Sequence, residues 1–124
     1  MSTVDLSIRT EDTKPMTPRP VRYDVKLPVE VTHNALAGTR CTQGVCSDIN
    51  EYGMGADIPQ PLLVGEVVQI ALELPFDRLN AFARVVYRND YHYGFYFLEM
   101  ADEQQGRLEQ ALAFLQGWQN VSVQ

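Results

Sequence analysis

Apolar residues alternate with polar residues in several short segments of this chain, and this period of two constrains the fold more than any other feature. From residue 21 to residue 31, valine, tyrosine or leucine occupies every second position, and charged residues or Pro28 lie between them. Strand side chains point alternately to two faces, so the pattern predicts a strand with one buried face and a bulge or edge at Pro28. Further strands are predicted at about 39–49, 56–58, 68–74, 79–88 and 91–98.

Turn signals separate these segments. The stretch 33–38 is predicted to be a hairpin loop, and Asn89 with Asp90 a second turn. Several short strands at this spacing indicate an antiparallel barrel or sandwich. On the last two strands, the side chains predicted to share a face are Ala83, Val85 and Tyr87, and then Tyr91, Tyr93, Phe95 and Phe97.

The period changes near Asp102. The sequence Asp-Glu-Gln-Gln over 102–105 has the signature of a capping box, and apolar residues follow at helical spacing. We therefore predict a helix over 103–116 that closes an open end of the barrel, with Gly117 as its stop. Phe114 and Trp118 form a neighbouring aromatic stripe, which is predicted to pack between helix and barrel.

A polar turn, residues 47–55, joins two of the predicted strands. Asp48 and Asn50 can cap local N–H groups, and Gly53 and Gly55 are expected to supply positive φ angles. Taken alone, this turn is typical of an ordinary hairpin whose Asp or Asn side chain folds back on the backbone.

The 124 residues suit one domain, and the net charge of −6 argues against a DNA- or RNA-binding protein. A small anionic ligand remains compatible, because it responds to local charge. Lys14 and Lys26 are the only lysines, so arginine supplies nearly all positive charge. Arginine suits planar, bidentate contacts.

No signal peptide and no membrane span is evident, so a cytoplasmic location with reduced thiols is expected. Cys41 and Cys46 lack a second ligand pair, and His33 and His92 are far apart in sequence, so no metal site is predicted. No nucleophile motif or phosphate-binding loop is present, which disfavours an enzyme and gives no catalytic residues and no cofactor.

The first twenty residues contain three prolines among polar residues and show no period. We expect a flexible arm over 1–18, a folded domain over 19–118 and a short tail over 119–124. Arg19 and Arg22 lie where the arm enters the domain.

Two motifs indicate a family. Arg22 follows Arg19 at the barrel entrance, and Asp48, Asn50 and Gly53 form D-x-N-x-x-G. With the strands Val-Val-Tyr-Arg and Tyr-Gly-Phe-Tyr-Phe, the chain resembles the PilZ domain, which has RxxxR and (D/N)xSxxG at these places. Here the arginines are three residues apart, because Pro18 occupies the position four before Arg22, and asparagine replaces serine.

The resemblance covers roughly residues 18–116 and implies a six-stranded antiparallel barrel with a terminal helix. It also implies binding of cyclic di-GMP, with Arg22 and Asp48 contacting guanine or phosphate and Gly53 admitting a close backbone approach. Arg19 and Asn50 would be substitutes for the family's residues. The chemistry is suitable, because an arginine fork fits phosphate and a carboxylate accepts guanine's N–H donors.

Two hypotheses follow. In the first, the chain is a cyclic di-GMP receptor that orders its arm and so alters a surface for an unidentified effector protein, without membrane insertion. In the second, it is a degenerate adaptor that binds proteins and no nucleotide. The displaced arginine favours the second, and the surviving motif residues favour the first.

Overall fold

The computed structural model describes residues 21–35 and 38–123, with the side chains of residues 35 and 118–123 outside the description. The predicted arm and Arg19 therefore lie outside the described residues. The elements are β1 (Tyr23–Ala35), β2 (Gly38–Ile49), β3 (Gly53–Asp57), β4 (Val67–Glu73), β5 (Arg78–Asn89), β6 (His92–Phe97) and α1 (Asp102–Val123).

The six strands form a closed barrel in the order β1-β2-β3-β6-β5-β4, and every neighbouring pair is antiparallel. Pairing between β1 and β4, for example Val29 with Leu72, closes the ring. Each strand thus has two neighbours over part of its length, whereas residues 38–44 of β2 pair with β1 alone. The barrel predicted from the alternating pattern is confirmed, and the sandwich alternative is not.

The inward-facing side chains fill the barrel as the period of two predicts. Alternate residues of β1, β4, β5 and β6 are buried and belong to one apolar cluster. Tyr93 is fully buried, and its phenolic oxygen accepts the Leu62 N–H at 3.0 Å. This hydrogen bond satisfies a buried polar group and holds the loop between β3 and β4 against the core.

Helix α1 closes one end of the barrel, because Leu108, Ala111 and Leu115 on one of its faces are buried in the same cluster. The Ala101 carbonyl accepts the Gln105 N–H at 2.9 Å, so Ala101 takes the N-cap position and Asp102 begins the first turn. A carboxylate there is favoured by the helix dipole.

The predicted helix end is wrong. The helix continues through Gly117 to Val123, into the segment predicted as a tail. Glycine ends a helix when it adopts a left-handed conformation, and Gly117 does not have a positive φ. Phe114 is partly exposed and packs edge-to-face on Phe76, with ring centroids 4.6 Å apart, outside the barrel core.

The turns also differ in part from prediction. The first hairpin is tighter than 33–38, since β1 runs to Ala35 and pairs there with Gly38, whose φ is 116°. In the last hairpin, Asp90 takes a φ of 56°, and Tyr91 lies exposed in the turn instead of facing inward. The bulge expected near Pro28 lies just before it, between Asp24 and Leu27.

A bulge between β5 and β6 was not predicted, and it changes which side chains border the candidate site. The register between β5 and β6 shifts between Val85 and Tyr87. One extra residue reverses which side chains face inward, so Tyr87 lies outside the barrel although Val85 is fully buried. The prediction that the two share a face is therefore wrong.

We expect Leu108→Ala to lower the free energy of unfolding by about 2–5 kcal/mol, because it removes a fully buried side chain at the helix–barrel contact. Leu63→Ala is the matched control, since Leu63 is 75% exposed and its truncation should change stability by less than about 0.5 kcal/mol. Urea unfolding of both variants measures this. Equal losses would contradict the assigned packing of α1.

The two thiols should differ in reactivity. Burial, and secondarily the Asp48 carboxylate, raise the pKa of Cys46 to about 12, while Cys41 is exposed. Only a thiolate reacts, and at pH 8 Cys46 remains protonated and covered. A disulfide reagent should therefore modify one thiol quickly in the folded protein and the second only after denaturation. Rapid reaction of both in the folded state would contradict the structure.

Candidate functional site

A shallow cleft of about 140 Å³ lies on the outer wall of the barrel, where the end of β2 meets β3, β6 and β5. It combines a charged pair, an amide, glycine backbone and several aromatic rings. The residues that line it are Arg22, Asp48, Asn50, Tyr52, Gly53, Met54, Val86, Tyr87, Gly94, Phe95 and Tyr96.

Glycines give the cleft a backbone floor. Gly53 and Gly55 share the outward face of β3, and Gly94 pairs with Gly55 from β6. A Cβ on Gly53 would collide with the Phe95 carbonyl oxygen, and one on Gly94 would collide with the Tyr87 ring. Neither Gly53 nor Gly55 has a positive φ, so the predicted turn role of these glycines is wrong. They are required because backbones and side chains approach closely there.

Asp48 is held by the backbone of the neighbouring strand. Its Oδ1 accepts the Gly55 N–H at 3.1 Å, and the same oxygen lies 3.3 Å from Nη1 of Arg22. The Asp48 side chain is 19% exposed and that of Arg22 is 59% exposed. The carboxylate is thus fixed by the sheet, whereas the arginine reaches it from the solvent side.

Asn50 stabilises its own turn, as the Asx-type interpretation predicted. Its Oδ1 accepts the N–H groups of Tyr52 at 2.8 Å and Gly53 at 3.0 Å. Its own N–H donates to the Gly53 carbonyl at 2.9 Å. The side-chain nitrogen of Asn50, Nδ2, makes no hydrogen bond within the described part of the chain, and the residue borders the cleft. Capping the turn and facing the cleft are therefore compatible.

The structure thus brings four of the five residues predicted to bind a ligand to one cleft: Arg22, Asp48, Asn50 and Gly53. Arg19 lies outside the described residues. The roles of these residues in ligand binding stay predictions.

Sequence reasoning missed the aromatic wall of the cleft. Tyr52, Tyr87 and Tyr96 all border it, and each is 40–51% exposed. Tyr96 could have been predicted, because the alternation of β6 places its side chain on the outer face of the strand and those of Phe95 and Phe97 on the inner face. Exposed rings beside an arginine provide surfaces on which a purine base can stack.

Residues 17–114 match the family model described as the PilZ domain, which is most of the chain. The chain belongs to the PilZ domain family. This confirms the family indicated by the two sequence motifs.

Solved structures agree on the fold of this PilZ domain. One is the PilZ domain of CeSA from a cellulose-synthesizing bacterium, at 21% identity and a TM-score of 0.60, covering 76% of this chain and 97% of that one. Another is the PilZ domain with c-di-GMP of YcgR from Escherichia coli, at 16% identity and a TM-score of 0.66, covering 86% of this chain and 96% of that one.

A third is the Bacillus subtilis inhibitor of motility, MotI, at 16% identity and a TM-score of 0.66. The match covers 86% of this chain and 53% of MotI. At these identities the likeness establishes the fold alone. A search among curated proteins found no significant match.

Other kinds of site are not seen in the part of the chain that the structure describes. Among its residues, no three histidine, cysteine, aspartate or glutamate side chains are grouped to hold a metal ion. No helix there combines the length and hydropathy needed to cross a membrane.

We expect Asn50→Ala to lower the free energy of unfolding by about 1–3 kcal/mol, because it removes two hydrogen bonds to the turn, each contributing about 0.5–1.5 kcal/mol. Asn89→Ala is the matched control, since Asn89 is exposed and its side chain makes no hydrogen bond to a described residue. Thermal and urea unfolding compare the two. A neutral Asn50→Ala variant would contradict the capping role.

Proposed function

We propose that this PilZ domain is a cyclic di-GMP receptor. The observation that carries the proposal is the Arg22–Asp48 pair, 3.3 Å apart, beside a glycine floor and a wall of exposed tyrosines. The c-di-GMP-bound PilZ domain of YcgR, which shares the fold, is consistent with it. PilZ domains act as receptors or adaptors, and we extend that non-enzymatic role to this chain.

The chemistry of the ligand matches the groups in the cleft. Cyclic di-GMP has two phosphates and two guanines, and an arginine fork can bind either a phosphate or the O6 and N7 of guanine. A carboxylate such as Asp48 can accept hydrogen bonds from guanine N1–H and the amino group. The tyrosines offer stacking surfaces, with a contribution of about 1–3 kcal/mol per stacked base in comparable sites.

The size of the cleft bears on how a signal could be passed on. Drug-sized ligands usually occupy pockets of about 300–1,000 Å³, well above the 140 Å³ here, so a dinucleotide would cover the cleft and expose one side. Arg22 is the second residue of the described chain, and Arg19 and the arm precede it in the sequence. We propose that the arm closes over the exposed side and thereby alters a surface for an effector protein in the cytoplasm.

The structure adds one observation that favours the degenerate-adaptor hypothesis. Asn50 uses its oxygen to cap its own turn, which is the role expected of it in a domain without ligand. The two hypotheses separate in a single measurement on the unaltered protein, because a ligand that binds only the folded state must raise the melting temperature. No thermal shift at millimolar cyclic di-GMP would favour the adaptor.

We expect Arg22→Ala to weaken cyclic di-GMP binding about 10- to 100-fold in calorimetric titrations, because a hydrogen bond to a charged group contributes about 1.5–3 kcal/mol. Arg22→Lys should lose less affinity, because lysine keeps the positive charge but lacks the two-pronged guanidinium group. Arg19→Ala should also lose less than Arg22→Ala.

Arg40→Ala is the matched control for this series. Arg40 is exposed on β2, where it lies across from His33 of β1 in the sheet register, far along the strand from Asp48. Removing its side chain should therefore leave the affinity for cyclic di-GMP unchanged. Unfolding of Arg22→Ala should be nearly normal, since an exposed ion pair contributes about 0–1 kcal/mol. Equal affinity of the unaltered protein and Arg22→Ala would contradict the assignment.

A further inference from the structure

A carboxylate oxygen and an imidazole nitrogen converge above Gly55, at the edge of the cleft. The position that a Cβ on Gly55 would take lies 2.7 Å from Oδ2 of Asp48 and 3.1 Å from Nε2 of His92. The two side chains come from different strands, β2 and β6. They can approach each other because Gly55, between them, has no side chain. His92 belongs to neither of the sequence motifs that indicated the family.

The hydrogen bonds already made define what these atoms can still do. Oδ1 of Asp48 is engaged by the Gly55 N–H and by Arg22, whereas Oδ2 makes no hydrogen bond to a described residue. The two side chains, Asp48 and His92, are not hydrogen-bonded to each other within the described part of the chain. A carboxylate oxygen and an imidazole nitrogen are therefore both available to a donor placed between them.

Asp57 determines which nitrogen of His92 is the acceptor. Nδ1 of His92 lies 2.8 Å from Oδ1 of Asp57. An ionised carboxylate can only accept, so Nδ1 carries the proton, and in the neutral ring Nε2 is left as an acceptor. The ring of Tyr87 lies beside the imidazole, with centroids 6.0 Å apart, and helps to fix its orientation. The imidazole is one-third exposed, so a ligand can reach it.

We propose that His92 and Asp48 together recognise the 2-amino group of guanine, which makes His92 a specificity-determining residue. The inference rests on the proposed function, because it concerns the base of the same ligand. An amino group on a purine has two N–H donors and needs two acceptors, which Oδ2 of Asp48 and Nε2 of His92 provide. Acceptors of this kind disfavour a phosphate, so the base edge belongs here and the phosphate nearer Arg22.

The test compares cyclic di-GMP with cyclic di-IMP, whose hypoxanthine bases lack only the 2-amino group. If each hydrogen bond to that group changes affinity about fivefold, the unaltered protein should prefer cyclic di-GMP about 25-fold. His92→Leu should reduce this preference to about fivefold, because Asp48 remains. His92→Gln, whose amide oxygen can accept, should restore most of it.

Asp57→Asn provides a second variant on an exposed residue that should not disturb folding. Its amide can accept from Nδ1–H or donate to Nδ1, so the proton is no longer fixed on Nδ1, which should lower the preference for cyclic di-GMP partway without removing the ring. The readout is the ratio of the two dissociation constants for each variant, with melting temperatures measured alongside. If His92 had a purely structural role, its substitution would weaken the binding of both ligands equally and leave this ratio unchanged.

The outcomes distinguish this inference from the proposed function. An unchanged ratio in His92→Leu, or no preference in the unaltered protein, overturns the role of His92 and leaves the receptor proposal standing. If the unaltered protein binds neither ligand, both proposals fall. A ratio that drops in His92→Leu and Asp57→Asn and recovers in His92→Gln supports the recognition of the amino group.

Discussion

The candidate site depends on the close approach of β3 to β6, which a side chain at Gly53 would prevent by collision with the Phe95 carbonyl. The same absence of side chains lets Gly55 pair with Gly94 and lets the Tyr87 ring lie over Gly94. Barrels normally cover their outer wall with alternate side chains. Here glycines leave only backbone on part of the wall. Polar and aromatic side chains from β2, β5, β6 and the turn between β2 and β3 can therefore surround a common space.

The sequence predicted the barrel well, because inward-facing apolar residues repeat with period two along nearly every strand. It could not place Tyr87, since a bulge adds one residue without a distinctive sequence and reverses the pattern that follows. It also misjudged Gly53 and Gly55. A glycine can be needed for its φ or for the space above it, and the residue type alone does not distinguish these two reasons.

The motif residues could be predicted as a group because Asp48, Asn50 and Gly53 lie within one turn, whose geometry is local. The aromatic wall could not, because Tyr52, Tyr87 and Tyr96 are distant in sequence and meet only when β6 lies between β3 and β5. The position of His92 beside Asp48 could not be predicted for the same reason. Its partner Asp57 lies 35 positions away, and only the register of β3 with β6 places them opposite each other.

The parts of the site are not equally constrained. The Asp48 carboxylate is held by the Gly55 N–H, and Oδ1 of Asn50 by two backbone donors. The proposed ligand would therefore find the Asp48 acceptor and the side-chain N–H donors of Asn50 already oriented. Arg22 is held by one long contact to Asp48 and is mostly exposed. Exchanging that contact for a phosphate costs little, because an exposed ion pair is weak. The rearrangement caused by a ligand should therefore fall on Arg22 and the residues that precede it, while the barrel stays as it is.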